Sequence, residues 1–254
     1  MEGAALLGGL APARPRLVWR EVTIRDIRNE TPSAKTLVLD VPDWPGHLPG
    51  QHVDIRLTAE DGYQAERSYS IGSAPASSEL ELTVERIDDG EVSPYLTEDA
   101  QPGDGFELRG PIGGYFVWEP DRGGPLLLVG GGSGVVPLMA MLRERRAEDS
   151  DVDARLLLSA RSLEDVYYRD ELDALDPRVA VHVTLTRGAP PGWTGFSGRI
   201  NEDMLTAVSP APDENPQIFV CGPTPFVEQA ARLLVGLGHA PETVHTERFG
   251  PTGG

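Results

Sequence analysis

Residues 126–137 read LLLVGGGSGVVP, and this stretch decides the fold of the second half of the chain. An apolar run enters a glycine cluster, and a helix-like segment follows. Such a turn lets the backbone approach a pyrophosphate, while the helix start supplies unpaired N–H groups. The stretch therefore predicts dinucleotide binding, and a tight turn into a helix is the structural alternative. It matches neither the G-x-G-x-x-G pattern, because Val135 occupies the third glycine position, nor a P-loop.

Downstream of this stretch, apolar strand-like runs alternate with helix-like segments. The runs are ARLLLSA, VAVHVTLT, QIFVCG and TVHTERF, and the helix-like segments are LEDVYYRDELDAL, NEDMLTAV and TPFVEQAARLLVGLG. Buried strands that alternate with helices predict an α/β doubly wound parallel sheet with helices on both faces. We assign this nucleotide-binding domain to residues 122–254.

Upstream, the pattern of apolar residues changes from alternating strands and helices to short strands alone. Six short β-like runs are separated by Gly/Pro turns such as PDWPGHLPG. The runs are LVWREVTIRDI, KTLVLDV, QHVDIRLT, RSYSIGS, LELTVERI and GDGFELRGPIGG. This pattern predicts a small antiparallel β-barrel over residues 16–121, preceded by a flexible N-terminus over residues 1–15. One short helix is predicted in SPYLTEDA, with Ser93 as the N-cap and Pro94 at the first helical position.

Composition excludes several classes of function. The chain has 254 residues and a formal net charge of −18, so we expect neither nucleic acid nor an anionic membrane as a partner. Cys221 is the only cysteine, which excludes an internal disulfide and a four-cysteine zinc or iron–sulfur site. We predict no metal site, no signal peptide and no membrane insertion, and we expect a soluble, cytoplasmic monomer.

The basic residues are unevenly distributed. Lys35 is the only lysine, and residues 1–36 carry six basic side chains against four acids, whereas the remainder is strongly acidic. This segment is either a docking patch for an acidic partner or a set of solvated strand residues. The six basic residues are Arg14, Arg16, Arg20, Arg25, Arg28 and Lys35.

The run RSYSIGS at residues 67–73 places unusual groups together on one strand. Arg67 offers a rigid fork of donors for a phosphate, Tyr69 a flat face for a ring, and Ser68 and Ser70 short hydroxyl donors. A ligand with both a phosphate and a large flat heterocycle suits this set. A flavin nucleotide is one such ligand.

Two strand ends in the second half carry further candidates. Arg161 follows the second strand, where an arginine favours the 2′-phosphate of NADP and an acid favours NAD. Arg169 either assists or, as we prefer, pairs with Asp165 or Asp173. Cys221 stands at another strand end, where it either packs as a small apolar side chain or lines a redox site. No activating histidine accompanies it, which argues against a nucleophile.

The order of RSYS, GEVS, GGGSGVVP and CGP resembles the ferredoxin–NADP(H) reductase superfamily, in particular two-domain FAD-dependent reductases without a fused ferredoxin domain, over roughly residues 16–250. The resemblance implies that Arg67 contacts the flavin phosphate, Tyr69 packs on the flavin–ribityl region and Ser70 bonds near N5. It also implies that Gly90-Glu91-Val92-Ser93 binds the pyrophosphate that FAD has and FMN lacks. Gly90, Val92 and Ser93 are therefore predicted to bind the cofactor.

In the nucleotide half, the resemblance covers two more motifs and the C-terminus. Gly132-Ser133-Gly134-Val135-Val136-Pro137 matches the family's dinucleotide loop, and Cys221-Gly222-Pro223 matches the stretch beside the nicotinamide. Phe226 replaces a family methionine, which we interpret as a packing change. Glu247 and Phe249 in ERFGP resemble an acidic-x-Phe ending that lies near the flavin, although here the chain continues five residues past Phe249.

The resemblance implies hydride transfer from NADPH, with NADH the less favoured donor, to bound FAD. Ser70, Cys221, Glu247 and Phe249 are the predicted catalytic residues. The five histidines are interpreted as structural or solvated. The electrons pass to a separate acceptor, which we expect to be a ferredoxin-like or oxygenase protein. The alternatives are a small-molecule flavin or quinone reductase and an electron-transfer subunit of a larger complex. The histidines are His47, His52, His182, His239 and His245.

Overall fold

The computed structural model describes residues 17–250, so the predicted flexible N-terminus at 1–15 lies outside the described residues. The first half forms a six-stranded antiparallel sheet in the order β4-β3-β6-β1-β2-β5. A bridge between Ile71 and Leu82 links β4 to β5, so the two edges meet as in a barrel. The strands are β1 (Trp19–Thr31), β2 (Ala34–Asp40), β3 (His52–Thr58), β4 (Gln64–Ser70), β5 (Leu80–Glu85) and β6 (Gly105–Ile112).

The second half forms a six-stranded parallel sheet in the order β10-β9-β8-β7-β11-β12. Its strands are β7 (Leu126–Gly131), β8 (Ala154–Ala160), β9 (Val179–Leu185), β10 (Phe196–Ser197), β11 (Gln217–Pro223) and β12 (Val244–Phe249). Its helices are α1 (Val135–Ala147), α2 (Arg169–Asp173), α3 (Glu202–Val208) and α4 (Thr224–Gly236). The predicted doubly wound fold is confirmed.

Alternating side chains of β7 explain how the parallel sheet is covered on both faces. Leu126 and Leu128 pack in a core with α1, whereas Leu127 and Val129 pack in a second core with α3 and α4. All four side chains are fully buried. The strand order reverses at β7, whose neighbours are β8 and β11, and such a switch point is where ligands bind in open α/β sheets. The predicted glycine loop lies there.

The two sheets are joined by a buried polar network. The Thr83 hydroxyl on β5 lies 2.5 Å from the Tyr168 hydroxyl and 2.6 Å from that of Thr36 on β2. Arg143 of α1 donates to the carbonyl of Gly72 at 2.7 Å. These contacts hold the first half against α1 and against the segment before α2.

That network explains why the predicted helix LEDVYYRDELDAL is wrong. The segment begins with a 3₁₀ turn (Leu163–Asp165), and Tyr168 then adopts a left-handed conformation with φ of 54°. The Tyr168 amide donates to Glu30 while its hydroxyl meets Thr83, so contacts with the other half outweigh local helix propensity. Only the five residues of α2 remain helical.

Two smaller predictions are also corrected. Ser93 does not cap the helical turn Tyr95–Asp99, because its hydroxyl accepts a hydrogen bond from the Ile87 amide at 3.0 Å. Arg169 forms no ion pair among residues 17–250, and Asp165 instead accepts hydrogen bonds from the amide and hydroxyl of Ser162. No helix in the described part of the chain is both long and apolar enough to span a membrane.

Candidate active site

The glycine loop packs directly on the end of the neighbouring strand. Gly132–Gly134 forms a single 3₁₀ turn that leads into α1, so Val135 and Pro137 lie in the first helical turn. A Cβ on Gly134 would lie 2.2 Å from the Cys221 carbonyl oxygen, and Gly132 has a φ of 56° that favours glycine. Both positions therefore favour glycine, Gly134 because it packs on the Cys221 backbone and Gly132 because of its positive φ.

Phe226 fills the space beside this loop. A Cβ on Gly131 or on Gly222 would lie 2.9 Å from the Phe226 ring. The ring therefore packs on both glycines at the start of α4, consistent with the predicted packing role. Pro223 ends β11 and is exposed, whereas Cys221 and Gly222 are buried.

The two predicted flavin motifs meet in space. Arg67 donates to the Glu91 carboxylate at 2.6 Å and to the Glu66 carbonyl at 2.7 Å, and Tyr63 donates to the same carboxylate. Arg67 on β4 is thus held beside the Gly90–Ser93 segment that follows β5. The Val92 side chain of this segment is fully buried, which fixes the backbone of the segment.

Strand alternation separates the four residues of RSYS. Tyr69 lies on the same face of β4 as Arg67 and packs against the core of the first half, where burial raises the pKa of its hydroxyl. Ser68 lies on the opposite face and donates to Asp54 at 2.6 Å. Asp54 also accepts from Arg109, so the Ser68 hydroxyl belongs to a surface cluster away from Arg67.

Ser70 lies at the end of β4, next to residues from the second half. It pairs with His52 on β3, and the His52 Nδ1 is 3.8 Å from the Glu247 Oε1 on β12. Glu247 pairs in turn with Cys221 on β11. Three of the predicted catalytic residues therefore converge, and His52 joins them. Phe249 pairs with Pro223 at the same edge, with 37% of its surface exposed.

Burial is the main cause of the pKa shifts of the ionisable groups at this edge. Burial raises the pKa of the Glu247 carboxyl to about 7, and its Oε2 is buried without a hydrogen-bond partner among residues 17–250. Burial, and then the nearby Glu247, raise the pKa of the Cys221 thiol. The thiol is therefore protonated at neutral pH, which is unsuited to a nucleophile. Burial also lowers the pKa of His52.

His52 was interpreted from the sequence as structural or solvated, and its position opposite Ser70 was missed. The register between QHVDIRLT and RSYS would have revealed it, but register depends on the hairpin turn and is not visible in either run alone. The other histidines lie elsewhere. His47, for example, bonds the Ser73 carbonyl at 3.0 Å, and His245 bonds that of Tyr115 at 3.0 Å.

Two arginines mark the carboxyl edge of the parallel sheet. Arg161 directly follows β8, and Arg187 follows β9 by two residues. The Arg187 amide donates to the Arg161 carbonyl at 2.9 Å, so the two backbones are adjacent. Both residues are exposed, and neither forms an ion pair within the described range. Arg187 was missed, although it follows its strand in TLTRG much as Arg161 does in LLSAR.

The arrangement fits a flavin and a dinucleotide. The glycine loop leads directly into the N-terminus of α1, and the Arg67 fork lies beside Glu91 of the Gly90–Ser93 segment. The Glu247 Oε2, where the halves meet, has no hydrogen-bond partner in the part of the chain that the structure describes. Phosphates suit the loop and the arginines, and a polar ring edge suits the free carboxyl oxygen.

Comparison with known proteins agrees with this geometry. Residues 21–117 match the Oxidoreductase FAD-binding domain family, and residues 128–232 match the Oxidoreductase NAD-binding domain family. The chain is 33% identical over 240 residues to ferredoxin–NADP reductase B of Sorangium cellulosum, covering 90% of this chain and 97% of that protein.

Two further similarities extend the comparison. The chain is 35% identical over 212 residues to the glycine betaine monooxygenase reductase subunit of Chromohalobacter salexigens, covering 80% of this chain but only 56% of that longer relative. The FAD/NAD-binding domain of nitric oxide dioxygenase from Vibrio cholerae matches with a TM-score of 0.81 and 26% identity, over 91% of this chain and 99% of that domain. The chain belongs to the ferredoxin–NADP(H) reductase superfamily, with an Oxidoreductase FAD-binding domain followed by an Oxidoreductase NAD-binding domain.

Proposed function

We propose that this chain transfers hydride from NADPH to bound FAD and delivers the electrons to a separate acceptor, a ferredoxin-like protein or an oxygenase component. The observation that carries the proposal is the convergence of Ser70, Cys221 and Glu247 from the two halves at one edge. When bound, the flavin accepts hydride from the nicotinamide and can release electrons singly. In this proposal residues 16–121 hold the flavin and residues 122–254 the dinucleotide.

The first half supplies the flavin contacts. The Arg67 guanidinium binds a flavin phosphate, and Glu91 holds its fork in position. Tyr69 presents its ring to the flavin–ribityl region, and the Ser70 hydroxyl orients N5. The backbone of Gly90–Ser93 binds the second phosphate, which favours FAD over FMN. Ser68 was expected to bind the cofactor, and its hydrogen bond to Asp54 supports an indirect role in holding β4 against β3.

The second half supplies the dinucleotide contacts. The loop Gly132–Gly134 and the first turn of α1 bind the pyrophosphate through backbone N–H groups. Cys221, Gly222 and Pro223 line the nicotinamide side, where the protonated thiol excludes water without reacting. Glu247 flanks the path of the hydride, and the half-exposed Phe249 covers the flavin ring until the nicotinamide displaces it.

NADPH is the proposed donor because two arginines with no ion pair among residues 17–250 lie where a 2′-phosphate would extend. Arg161 and Arg187 each present a guanidinium at the ends of β8 and β9, and no acid occupies either position. An acidic residue there would favour the ribose hydroxyl of NADH instead.

The proposed protein acceptor draws its support from the relatives' names, one a ferredoxin–NADP reductase and one a monooxygenase reductase subunit. The structure also favours a second candidate, a small-molecule flavin or quinone reductase. In the basic N-terminal segment Arg25 pairs with Glu79 and Arg28 with Glu81, which reduces its attraction for an acidic carrier. Arg14 and Arg16 lie outside the described residues.

The first test is the visible spectrum of the purified protein before and after anaerobic addition of NADPH and then of NADH. We expect a yellow protein that NADPH bleaches faster than NADH does. A colourless protein that takes up no added FAD would contradict the proposal.

The acceptor is tested separately by steady-state turnover. Cytochrome c reduction that requires an added ferredoxin supports the protein acceptor. Equal turnover with free flavin or quinone and no carrier supports the small-molecule alternative. Ferricyanide serves as the control for intact hydride transfer in both assays.

A further inference from the structure

Glu85, the last residue of β5, lies against the glycine loop of the other half. Its Oε2 accepts a hydrogen bond from the Ser133 hydroxyl at 2.7 Å. The buried Tyr167 hydroxyl adjoins the same carboxylate, and burial followed by this carboxylate raises the pKa of Tyr167. We call these three residues the Glu85 latch. The latch links the first sheet to the dinucleotide loop.

The charge of Glu85 is not neutralised by a cation. Glu85 forms no ion pair in the described 17–250 range, and the adjacent Arg86 is engaged with Asp88 and Glu98. Within the described residues, the groups that hold the carboxylate are the hydroxyls of Ser133 and Tyr167. An uncompensated negative charge therefore stands beside the loop that leads into the N-terminus of α1, where backbone N–H groups suit phosphate.

We propose that Glu85 competes with the dinucleotide phosphates at the glycine loop and so sets the affinity for NAD(P)H. This inference rests on the proposed function, since it assumes that the loop binds a dinucleotide. The incoming phosphates repel the carboxylate, and Ser133 cannot give its single hydroxyl proton to Glu85 and to a phosphate at once. Binding therefore breaks the Ser133–Glu85 hydrogen bond.

The latch has a benefit when no dinucleotide is bound. By joining β5 to the glycine loop, it adds a contact between the two halves of the molecule and holds the loop in one conformation. The same contact lowers dinucleotide affinity, because it must be broken on binding. Affinity and the stability of the dinucleotide-free protein should consequently change in opposite directions when Glu85 is replaced.

The test compares Glu85→Gln and Glu85→Ala with the wild type, all loaded with flavin. Isothermal titration calorimetry gives the dissociation constants for NADP⁺ and NAD⁺ at low and high salt, and thermal unfolding gives Tm. Glu148→Gln is the control, because it removes an exposed carboxylate beyond the end of α1.

For Glu85→Gln we expect both dissociation constants to fall about threefold or more at low salt, with a smaller gain at high salt, as the loss of one repulsive charge near a phosphate predicts. Glu85→Ala should also bind more tightly and should unfold at a lower temperature without dinucleotide. The control should match the wild type in both measurements.

The outcomes separate this inference from the proposed function. If the wild type binds NADP⁺ or NAD⁺ and Glu85→Gln binds equally or more weakly, Glu85 does not compete and the inference is wrong. If the flavin-loaded wild type binds neither dinucleotide, the proposed function is wrong and the inference falls with it. Should Glu85→Ala fail to fold, the Glu85→Gln titration still decides.

Discussion

The arginines of the two predicted phosphate sites are held in opposite ways. Arg67 in the first half is anchored by the Glu91 carboxylate and the Glu66 carbonyl. Arg161 and Arg187 in the second half stand exposed at strand ends without an acid partner among the described residues. An anchored fork is preorganised, so it suits a cofactor that stays bound, whereas free side chains suit a substrate that must leave.

The difference teaches how an acidic chain can still bind phosphates. With a net charge of −18, the long-range field opposes any anion, so local groups must overcome it. We propose that in the first half Arg67, held on a strand, binds the flavin phosphate. In the second half, we propose that backbone amides at the glycine loop and two exposed guanidinia bind the dinucleotide phosphates. The comparison predicts unequal effects when each set is removed.

The largest effect should follow Arg67→Ala. Loss of a charge-assisted bidentate group costs about 1.5–3 kcal/mol, and the uncompensated Glu91 would then repel the flavin phosphate, so we expect FAD to bind about 10- to 100-fold more weakly. The ratio of flavin to protein absorbance after gel filtration measures the loss. Arg178→Ala removes a surface arginine paired with Asp176 and should keep its flavin. Full flavin occupancy in Arg67→Ala would contradict the phosphate role.

A smaller effect concerns Glu247, which differs from both sets of arginines because it is a largely buried acid whose Oε2 has no hydrogen-bond partner among residues 17–250. Its pKa of about 7 in the folded protein lies above the ordinary value of 4.5. Between these two values the folded state retains a proton that the unfolded state has released. Stability therefore falls as pH rises through this window, and the full penalty remains above pH 7.

Glu247→Gln removes that penalty. We expect the variant to match the wild type near pH 5 and to exceed its free energy of unfolding by about 2 kcal/mol at pH 8, a figure discounted for partial exposure to solvent. Urea unfolding at pH 5, 6, 7 and 8 tests this. The exposed Glu242→Gln is the control and should follow the wild type at every pH. A constant difference between Glu247→Gln and the wild type across the range would mean that Glu247 does not titrate as described.

Local sequence patterns were enough to predict most helices and strands. The errors occurred where contacts between residues distant in sequence determine the backbone conformation. The six predicted strands of the first half and the glycine loop were recognised because alternation and glycine spacing are local signals. The break at Tyr168 was not, since its partners Glu30 and Thr83 are 138 and 85 residues away in sequence.

The same reasoning applies to the candidate site. Short motifs and the family resemblance predicted Arg67, Ser70, Cys221 and Glu247, and the structure brings Ser70, Cys221 and Glu247 to one edge, while their roles stay predictions. His52 and Glu85 escaped notice, since their importance depends on which strands pair and how the two halves meet. No property of QHVDIRLT or LELTVERI alone shows that one residue in each faces the other half.

The smallest predicted effect concerns the two arginines at the carboxyl edge of the parallel sheet. Arg161→Ala should raise the KM for NADPH about tenfold, as expected for one exposed charge-assisted contact, and should leave the KM for NADH nearly unchanged. Arg187→Ala should act in the same direction, because its backbone adjoins that of Arg161. Arg146→Ala is the matched control, since Arg146 is exposed in the last turn of α1, at the opposite end of that helix from the glycine loop. Equal changes in the KM for NADPH and for NADH would contradict the assignment of Arg161 to the 2′-phosphate. Loss of flavin from Arg161→Ala would show that the flavin site and the dinucleotide site are not independent.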